Sequence, residues 1–265
     1  MTTLAVVGVG VMGETVVAGL LRAGWAAQDL TVTDRYAPRL AEVGERHGVA
    51  TAELDAAVAS ADTIIVVVKP QDAAAVWAQL GAAMRPGALV VSLCAGLTTA
   101  QIEKALPGGT PVVRVMPNTP AQVGEGMAAI SAGSSATQAH LDQVAGLMDA
   151  LGKSVVVPEK HQDAVTAVSG SGPAYVFLVV EAMIDGGVLL GLPRDVATEL
   201  AVQTVLGSAK LLAESGERPA VLRERVTSPG GTTAAALRKL EDCGLRAAFL
   251  AAMTAASDRS AELAG

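Results

Sequence analysis

Aromatic side chains are scarce in this sequence, which has two each of tryptophan, tyrosine and phenylalanine among 265 residues. Half of the residues are nevertheless hydrophobic, and alanine and valine dominate them. We therefore expect a core of small side chains that pack closely. Cysteine is equally rare. Cys94 and Cys243 form no metal-ligand pattern, so no metal site is predicted, and both are expected to be buried thiols of the reducing cytoplasm.

The sequence also lacks basic runs and long uncharged apolar runs. Its net charge is −7 and its pI about 5.0, so we expect no nucleic-acid partner. The longest apolar stretch, residues 175–192, contains Glu181 and Asp185, so no membrane span is predicted. The N-terminus shows no basic segment followed by a cleavage site, and no secretory signal is expected. We therefore expect a cytoplasmic protein.

The first part of the chain alternates between apolar strands and helices. Strands are predicted at LAVVG, LTVTD, TIIVVVK, ALVVSLCAG, PVVRVMP, GMAAISAG and KSVVVP. Helices are predicted between most of them, including residues 38–47, 99–106 and 137–151. This alternation is typical of an α/β fold with a mostly parallel, doubly wound sheet of the Rossmann type. We assign residues 1–158 to this N-terminal domain.

Residues 159–265 are predicted to form an all-α C-terminal domain, because the strands stop after Pro158. Helices are expected over residues 161–190, with one break at SGSGP, over 194–214 and over 219–226, and two more follow. The stretch 175–190 is apolar on more than one side. Since a helix that is apolar all round is buried, we predict that this domain dimerises with a second copy.

The motif GVGVMG at residues 8–13 follows the first predicted strand and opens a helix. In a dinucleotide-binding fold, Gly8 permits the tight turn, Gly10 lets the backbone approach a pyrophosphate, and Gly13 lets helix and strand pack closely. The N–H groups and dipole of the helix then face the phosphates. Cofactor binding is assigned here to Val7, Gly8, Val9, Gly10, Val11, Met12 and Gly13. A glycine-rich turn that binds nothing is the alternative.

The second strand ends at Asp34 and Arg35, which give opposite indications for the cofactor. An acidic residue at this place holds the ribose diol of NAD. Arg35, with Arg39 one helical turn on, suits the 2′-phosphate of NADP. We favour NADPH and keep NADH as a second possibility. The alternative is that both arginines only solvate the helix.

Later strands end at VKPQ and CAG, and such loops line the ligand crevice at the carboxyl ends of a parallel sheet. They add to the expected cofactor contacts Val67, Val68, Lys69, Pro70, Cys94, Ala95 and Gly96. A surface role for Lys69 and an ordinary turn at Gly96 are the alternatives.

Three further stretches are too particular to be explained by packing: RVMPNTPAQVGEGM, AVSGSGPAYVF and VTSPGGTTAAALRKLE, at residues 114–127, 167–177 and 226–241. Together with GVGVMG and VKPQ, and in this order, they resemble the pyrroline-5-carboxylate reductases over the full length of the chain. The last stretch matches the signature of that family. The resemblance implies reduction of the cyclic imine 1-pyrroline-5-carboxylate to L-proline by NADPH or NADH. It also implies a dimer formed through the C-terminal domain.

The SPGGTT segment carries the expected substrate contacts. Pro229 blocks helix continuation, and Gly230 and Gly231 supply a positive φ or a close approach. A helix is expected to start at the threonines, where its free N–H groups make an anion site. The resemblance implies that the substrate carboxylate binds at Gly230, Gly231, Thr232 and Thr233. It also makes Thr233 the catalytic candidate, with its hydroxyl near the imine nitrogen. An ordinary helix N-cap is the alternative.

Two assignments rest on the resemblance alone. Glu159 occupies the place of an acidic residue that faces the substrate nitrogen in the family, and a first-turn acid favoured by the helix dipole is the alternative. Arg225 stands where some relatives carry an amide near the cofactor, so its role is left open.

Two other functions of the protein remain as alternatives. A β-hydroxyacid dehydrogenase needs a lysine in the first long C-terminal helix, which PAYVFLVVEAMIDGGVLLG lacks. A non-catalytic dinucleotide sensor binds cofactor without turnover.

Overall fold

The computed structural model describes residues 2–264, apart from the side chains of Pro70 and Ala264. Its sheet is made of β1 Leu4–Val7, β2 Leu30–Thr33, β3 Ala50–Thr51, β4 Thr63–Val66, β5 Leu89–Ser92, β6 Val112–Met116, β7 Gly126–Ala132 and β8 Gly152–Val156. The strands lie in the order β3-β2-β1-β4-β5-β6-β7-β8. Neighbours pair in parallel, except that β6 and β7 are antiparallel. The predicted mostly parallel α/β sheet is confirmed.

Helices alternate with these strands as predicted. They are α1 Val11–Arg22, α2 Ala37–His47, α3 Leu54–Ala59, α4 Pro70–Ala83, α5 Thr99–Ala105 and α6 Gln138–Asp149. Strand β3 was not predicted, because its two residues are exposed and belong to no apolar run. It extends the sheet beyond β2 and precedes α3.

The central strands are buried on both faces, as their continuous apolar sequences predict. Successive side chains of a strand point to opposite faces of a sheet. Accordingly, Val6 and Ile65 belong to one hydrophobic cluster, whereas Val7 and Ile64 belong to another. Cys94 is buried in the second cluster, as expected. The sheet therefore fixes the ends of β1, β2 and β4 at one edge, where a ligand crevice is expected.

The remaining helices are α7 Gln162–Val165, α8 Gly172–Leu189, α9 Arg194–Ser215, α10 Pro219–Arg225, α11 Thr232–Asp242 and α12 Leu245–Ala264. The predicted break within SGSGP lies at Ser171, the one residue between the two helical segments. Before it the chain forms a π-turn over Thr166–Gly170, where Ser171 N donates to Thr166 O at 2.8 Å, and α8 begins at Gly172.

The chain packs as two compact units, residues 1–171 with 256–265, and residues 172–255. This division lies after Ser171 rather than after Pro158, because the segment that follows Pro158 packs on the sheet. Gln162 is buried there, and its Nε2 donates to Ser131 Oγ at 2.8 Å. The boundary at residue 158 therefore does not coincide with the packing boundary.

The second unit has little core of its own. Of residues 172–255, all of which the structure describes, only Ala197 and Ala201 are buried. Cys243, at the end of α11, is exposed, so the expectation of a buried thiol is wrong there. By length and composition alone, the helical stretch Glu159–Leu189 is long and apolar enough to cross a membrane. Large apolar side chains of this unit are therefore exposed in the single chain.

Candidate active site

The glycine loop has the backbone geometry that its motif predicts. Gly8 has a φ of +94°, and a Cβ there would lie 2.4 Å from the carbonyl oxygen of Val67. A Cβ on Gly13 would lie 1.9 Å from the carbonyl oxygen of Gly8, so strand and helix approach too closely for a side chain. A Cβ on Gly10 would meet no atom within 4 Å. Gly8 and Gly13 thus serve the turn, and Gly10 faces open space.

Two side chains from the β2 end and α2 hold the loop at Val9. Asp34 Oδ2 accepts from Val9 N at 2.8 Å, and Arg39 Nε donates to Val9 O at 3.1 Å. The other oxygen of Asp34 accepts from Tyr36 N at 2.9 Å. Asp34 and Arg39 therefore hold the backbone of the glycine loop in place in the absence of a ligand. The spacing of these residues in the sequence did not indicate this role.

Arg39 is also committed to Glu14 of α1, with which it forms an ion pair. Burial alone would raise the pKa of Glu14, but hydrogen bonds from His47, Arg46 and Arg39 lower that pKa to about 2. Glu14 is thus a carboxylate throughout the physiological range, and it keeps Arg39 in place. The expectation that Arg39 serves a 2′-phosphate consequently loses support.

A cleft of about 450 Å³ opens at this edge of the sheet. The predicted cofactor residues that line it are Val7, Gly8, Gly10, Asp34, Arg35, Val67, Val68 and Lys69. Arg39, the other candidate for the 2′-phosphate, also lines it, and residues that line it without having been predicted are Thr33, Tyr36, Glu53, Leu54, Asp72, Val76 and Gln79. Glu53 and Leu54 were missed because they follow β3, the unpredicted strand. Asp72 and Val76 lie on α4, directly after the VKPQ loop that pointed to this place.

Other predicted cofactor residues do not line this cleft. Val9, Val11, Met12 and Gly13 belong to the glycine loop and the first turn of α1, and the side chain of Pro70 lies outside the described residues. Cys94 turns its thiol into the core, where Sγ lies 3.6 Å from Val66 O and burial raises the thiol pKa. Ala95 and Gly96 follow it, and Gly96 has a φ of +74°. Contacts from the 94–96 loop to a cofactor therefore remain a prediction.

Glu159 has a set of partners within its own unit. Its Oε1 accepts from Thr99 N at 2.7 Å and its Oε2 from Thr99 Oγ1 at 2.6 Å. Arg114, which is buried in β6, lies 3.3 Å from Oε1. The carboxylate thus accepts hydrogen bonds from the first residue of α5. Its oxygens are not free to bind a substrate, and its interactions extend beyond the helix dipole of its own turn.

The SPGGTT segment forms the turn that opens α11. Gly230 has a φ of +69°, and Gly231 is the residue before the helix, with its N–H donating to Ser228 O at 3.0 Å. The helix begins at Thr232, as predicted. No side chain caps it, so the alternative of a threonine N-cap is not what the structure shows. Thr233 is half-buried, and among the described residues its hydroxyl has no hydrogen-bond partner.

Comparison with known proteins decides the family. A family model described as pyrroline-5-carboxylate reductase dimerisation matches residues 159–263, and one described as NADP oxidoreductase, coenzyme F420-dependent, matches residues 3–96. Pyrroline-5-carboxylate reductase of Mycobacterium tuberculosis (strain H37Rv) is 45% identical, over 99% of this chain and 97% of its own. The chain belongs to the pyrroline-5-carboxylate reductase family.

Solved structures of reductases from this family agree with that assignment. The enzyme of Coxiella burnetii superimposes with a TM-score of 0.95 at 36% identity, over 100% of this chain and 99% of its own. The Plasmodium falciparum protein, solved with NADP bound, gives a TM-score of 0.89 at 28% identity, over 100% and 98%. Both likenesses extend over the whole chain, so they cover the glycine loop and the SPGGTT turn alike.

Two motifs that carried the family resemblance are joined in the structure. Asn118, from MPNTPA, donates through Nδ2 to Ser169 O at 3.1 Å and accepts at Oδ1 from Met127 N at 2.8 Å. It therefore holds the π-turn Thr166–Gly170, which includes the first two residues of SGSGP. Arg225, whose role was left open, forms an ion pair with Glu217.

Proposed function

We propose that this chain reduces 1-pyrroline-5-carboxylate to L-proline, the last step of proline biosynthesis, as a cytoplasmic NADPH-dependent oxidoreductase. The observation that carries the proposal is the start of α11. There, a turn specific to the family leaves free backbone N–H groups and the unpartnered hydroxyl of Thr233 together. A non-catalytic sensor needs no such anion site, and a β-hydroxyacid dehydrogenase needs a lysine that α8 lacks.

The substrate carboxylate is proposed to bind at the N-terminus of α11. The first N–H groups of a helix lack partners within it and favour anions. Because Gly231 N already donates to Ser228 O, the available donors begin at Thr232 N and continue with Thr233 N. Gly230 and Gly231 admit the ligand to this backbone. Thr233 Oγ1 then accepts a hydrogen bond from the protonated imine nitrogen and orients the ring, which is the main requirement because the protonated imine is already electrophilic.

Glu159 has a smaller part in this proposal than its family position implies. Its two oxygens hold Thr99 and Arg114 within hydrogen-bonding or ion-pair distance. We retain it as a residue that positions α5, and any contact with the substrate nitrogen would require it to exchange one of these partners.

The residues of the cleft fit a dinucleotide. The open space at Gly10 admits a pyrophosphate close to the backbone, which a Cβ at this position would obstruct. Val9, Val11, Met12 and Gly13 complete the loop, and Lys69 and Arg35 supply positive charge. When bound, the reduced nicotinamide supplies a hydride. The protein supplies orientation, and no metal or covalent intermediate enters the proposal.

The test of this function is turnover. Purified protein, 1-pyrroline-5-carboxylate and NADPH should together give L-proline, followed by loss of absorbance at the cofactor band and by amino-acid analysis. Turnover of β-hydroxyacids instead would favour the dehydrogenase, and cofactor binding without turnover of either substrate would favour the sensor.

Arg35→Ala is expected to weaken NADPH binding about 5- to 50-fold and NADH binding less than twofold, since a charged hydrogen bond contributes about 1.5–3 kcal/mol before solvent exposure reduces it. The physical reason is that Arg35 is three-quarters exposed at the cleft and free of the glycine loop. Dissociation constants for both cofactors, measured at one ionic strength, check this. An equal loss of affinity for both cofactors would indicate that Asp34, rather than Arg35, determines the preference between NADPH and NADH.

The second unit is proposed to form a homodimer, as the matched dimerisation model suggests. Large apolar side chains on α8 and α9 are exposed in the single chain, among them Phe177, Leu178, Leu200 and Leu206. Burying such a surface against a second copy removes it from water. The same burial accounts for the apolar character of Glu159–Leu189 without a membrane.

Leu178→Asp and Leu206→Asp are each expected to shift the protein from dimer, or larger assembly, towards monomer at micromolar concentration. Their side chains are 66% and 59% exposed in the single chain, so a charge there costs little until two copies meet. Sedimentation velocity in detergent-free buffer measures the state. Val156→Asp, on the edge strand β8 and 49% exposed, is the matched control. A wild-type monomer, or a protein that is monodisperse only in detergent, would contradict the proposal.

A further inference from the structure

An ion pair lies along the wall of the cofactor cleft. Arg35, which follows β2, pairs with Asp72, in the first turn of α4, and both residues line the cleft. Their exposures differ: the side chain of Arg35 is 75% exposed, whereas that of Asp72 is 21% exposed. The pair thus joins an exposed guanidinium to a more enclosed carboxylate.

Arg39 and Asp34, which also line the cleft, are already committed to the glycine loop. Arg39 holds Val9 O and pairs with Glu14 and Glu42. Asp34 accepts from two backbone N–H groups of the loop and its own turn. Arg35 is therefore the one guanidinium lining the described cleft that does not support the glycine loop, and its partner in the structure is Asp72.

We infer that Asp72 is a specificity-determining residue that competes with the cofactor's 2′-phosphate for Arg35. The inference rests on the cofactor half of the proposed function. A phosphate monoester carries a charge of roughly −1.5 to −2 at neutral pH and binds a guanidinium through charged hydrogen bonds. Arg35 meets Asp72 through Nη1, so a phosphate that takes this nitrogen displaces the carboxylate, which then remains close to the phosphate. A dinucleotide with a plain 2′-hydroxyl leaves the pair intact, so Asp72 lowers the preference for NADP over NAD.

Asp72→Asn tests the inference by removing the competing charge at nearly constant shape. Dissociation constants of NADP⁺ and NAD⁺ are measured by calorimetry on the full-length protein at fixed ionic strength. NADP⁺ is expected to bind about three- to tenfold more tightly, a range based on the modest strength of exposed ion pairs plus relief of repulsion. NAD⁺ is expected to change less than twofold. Glu53→Gln is the matched control, because Glu53 lines the same cleft but has no ion pair with Arg35.

A double variant separates competition from a general effect of charge. In an Arg35→Ala background, Asp72→Asn should tighten NADP⁺ less than in the wild type, because only the repulsion between carboxylate and phosphate is left to relieve. A gain of the same size in that background, an equal gain in Glu53→Gln, an equal shift for both cofactors, or no gain at all would each overturn the inference. Failure of the wild type to bind either dinucleotide would overturn the proposed function as well, whereas the other outcomes leave it standing.

Discussion

Thr233→Val should lower kcat/KM for 1-pyrroline-5-carboxylate by roughly 5- to 150-fold, which corresponds to about 1–3 kcal/mol of lost transition-state stabilisation. The hydroxyl of Thr233 has no partner within the described protein, so removing it breaks no internal hydrogen bond. Valine keeps the shape of the side chain and leaves every backbone N–H of the turn in place. The loss should therefore appear in kinetics, while the melting temperature stays close to that of the wild type.

Thr254→Val provides the control for this substitution. Thr254 lies exposed on α12, where its hydroxyl donates only to Leu250 O at 2.9 Å, a local bond of a helix surface. Steady-state kinetics and thermal unfolding are measured on both variants. If Thr233→Val has wild-type kinetics and a lowered melting temperature, the hydroxyl has no part in catalysis and the SPGGTT segment only starts α11.

Features that depend on local backbone geometry could be predicted from the sequence. The glycine loop is one, because Gly8 needs a positive φ and a Cβ on Gly13 would overlap Gly8 O, and both demands are visible in GVGVMG. The start of α11 is another, because Pro229 and two glycines exclude a continuous helix. Each of these arguments concerns residues within a few positions of one another.

Features that depend on distant partners could not be predicted. Glu159 closes the N-terminus of α5 through Thr99, sixty positions away, and no local pattern announces that contact. Arg39 was a candidate for a phosphate until the structure showed Glu14 and Val9 O beside it. The π-turn that precedes the break at Ser171 was not predicted either, because Asn118 from another motif binds Ser169 O within it. Propensity gives a weak prior that tertiary contacts override.

Gly10→Ala should weaken binding of the dinucleotide at least about tenfold, the equivalent of about 1.4 kcal/mol, without destabilising the protein. Gly10 has φ −63° and ψ −166°, a conformation that alanine adopts, and a Cβ there would meet no protein atom within 4 Å. The unfolded chain loses conformational freedom with alanine, so stability should stay level or rise by roughly 0.4–1 kcal/mol. The added methyl group instead occupies the space that the pyrophosphate needs.

Gly13→Ala should behave differently, because its Cβ would lie 1.9 Å from Gly8 O and either β1 or α1 has to move. We expect both a lower melting temperature and weaker binding, with a destabilisation of about 1–3 kcal/mol, typical of overpacking. Gly146→Ala is the control: it lies in α6, where a Cβ has open space and alanine favours the helix. Calorimetry with NADP⁺ and thermal unfolding on the three variants separate the two roles. Unaltered NADP⁺ affinity in Gly10→Ala would show that the pyrophosphate does not approach the backbone at this glycine.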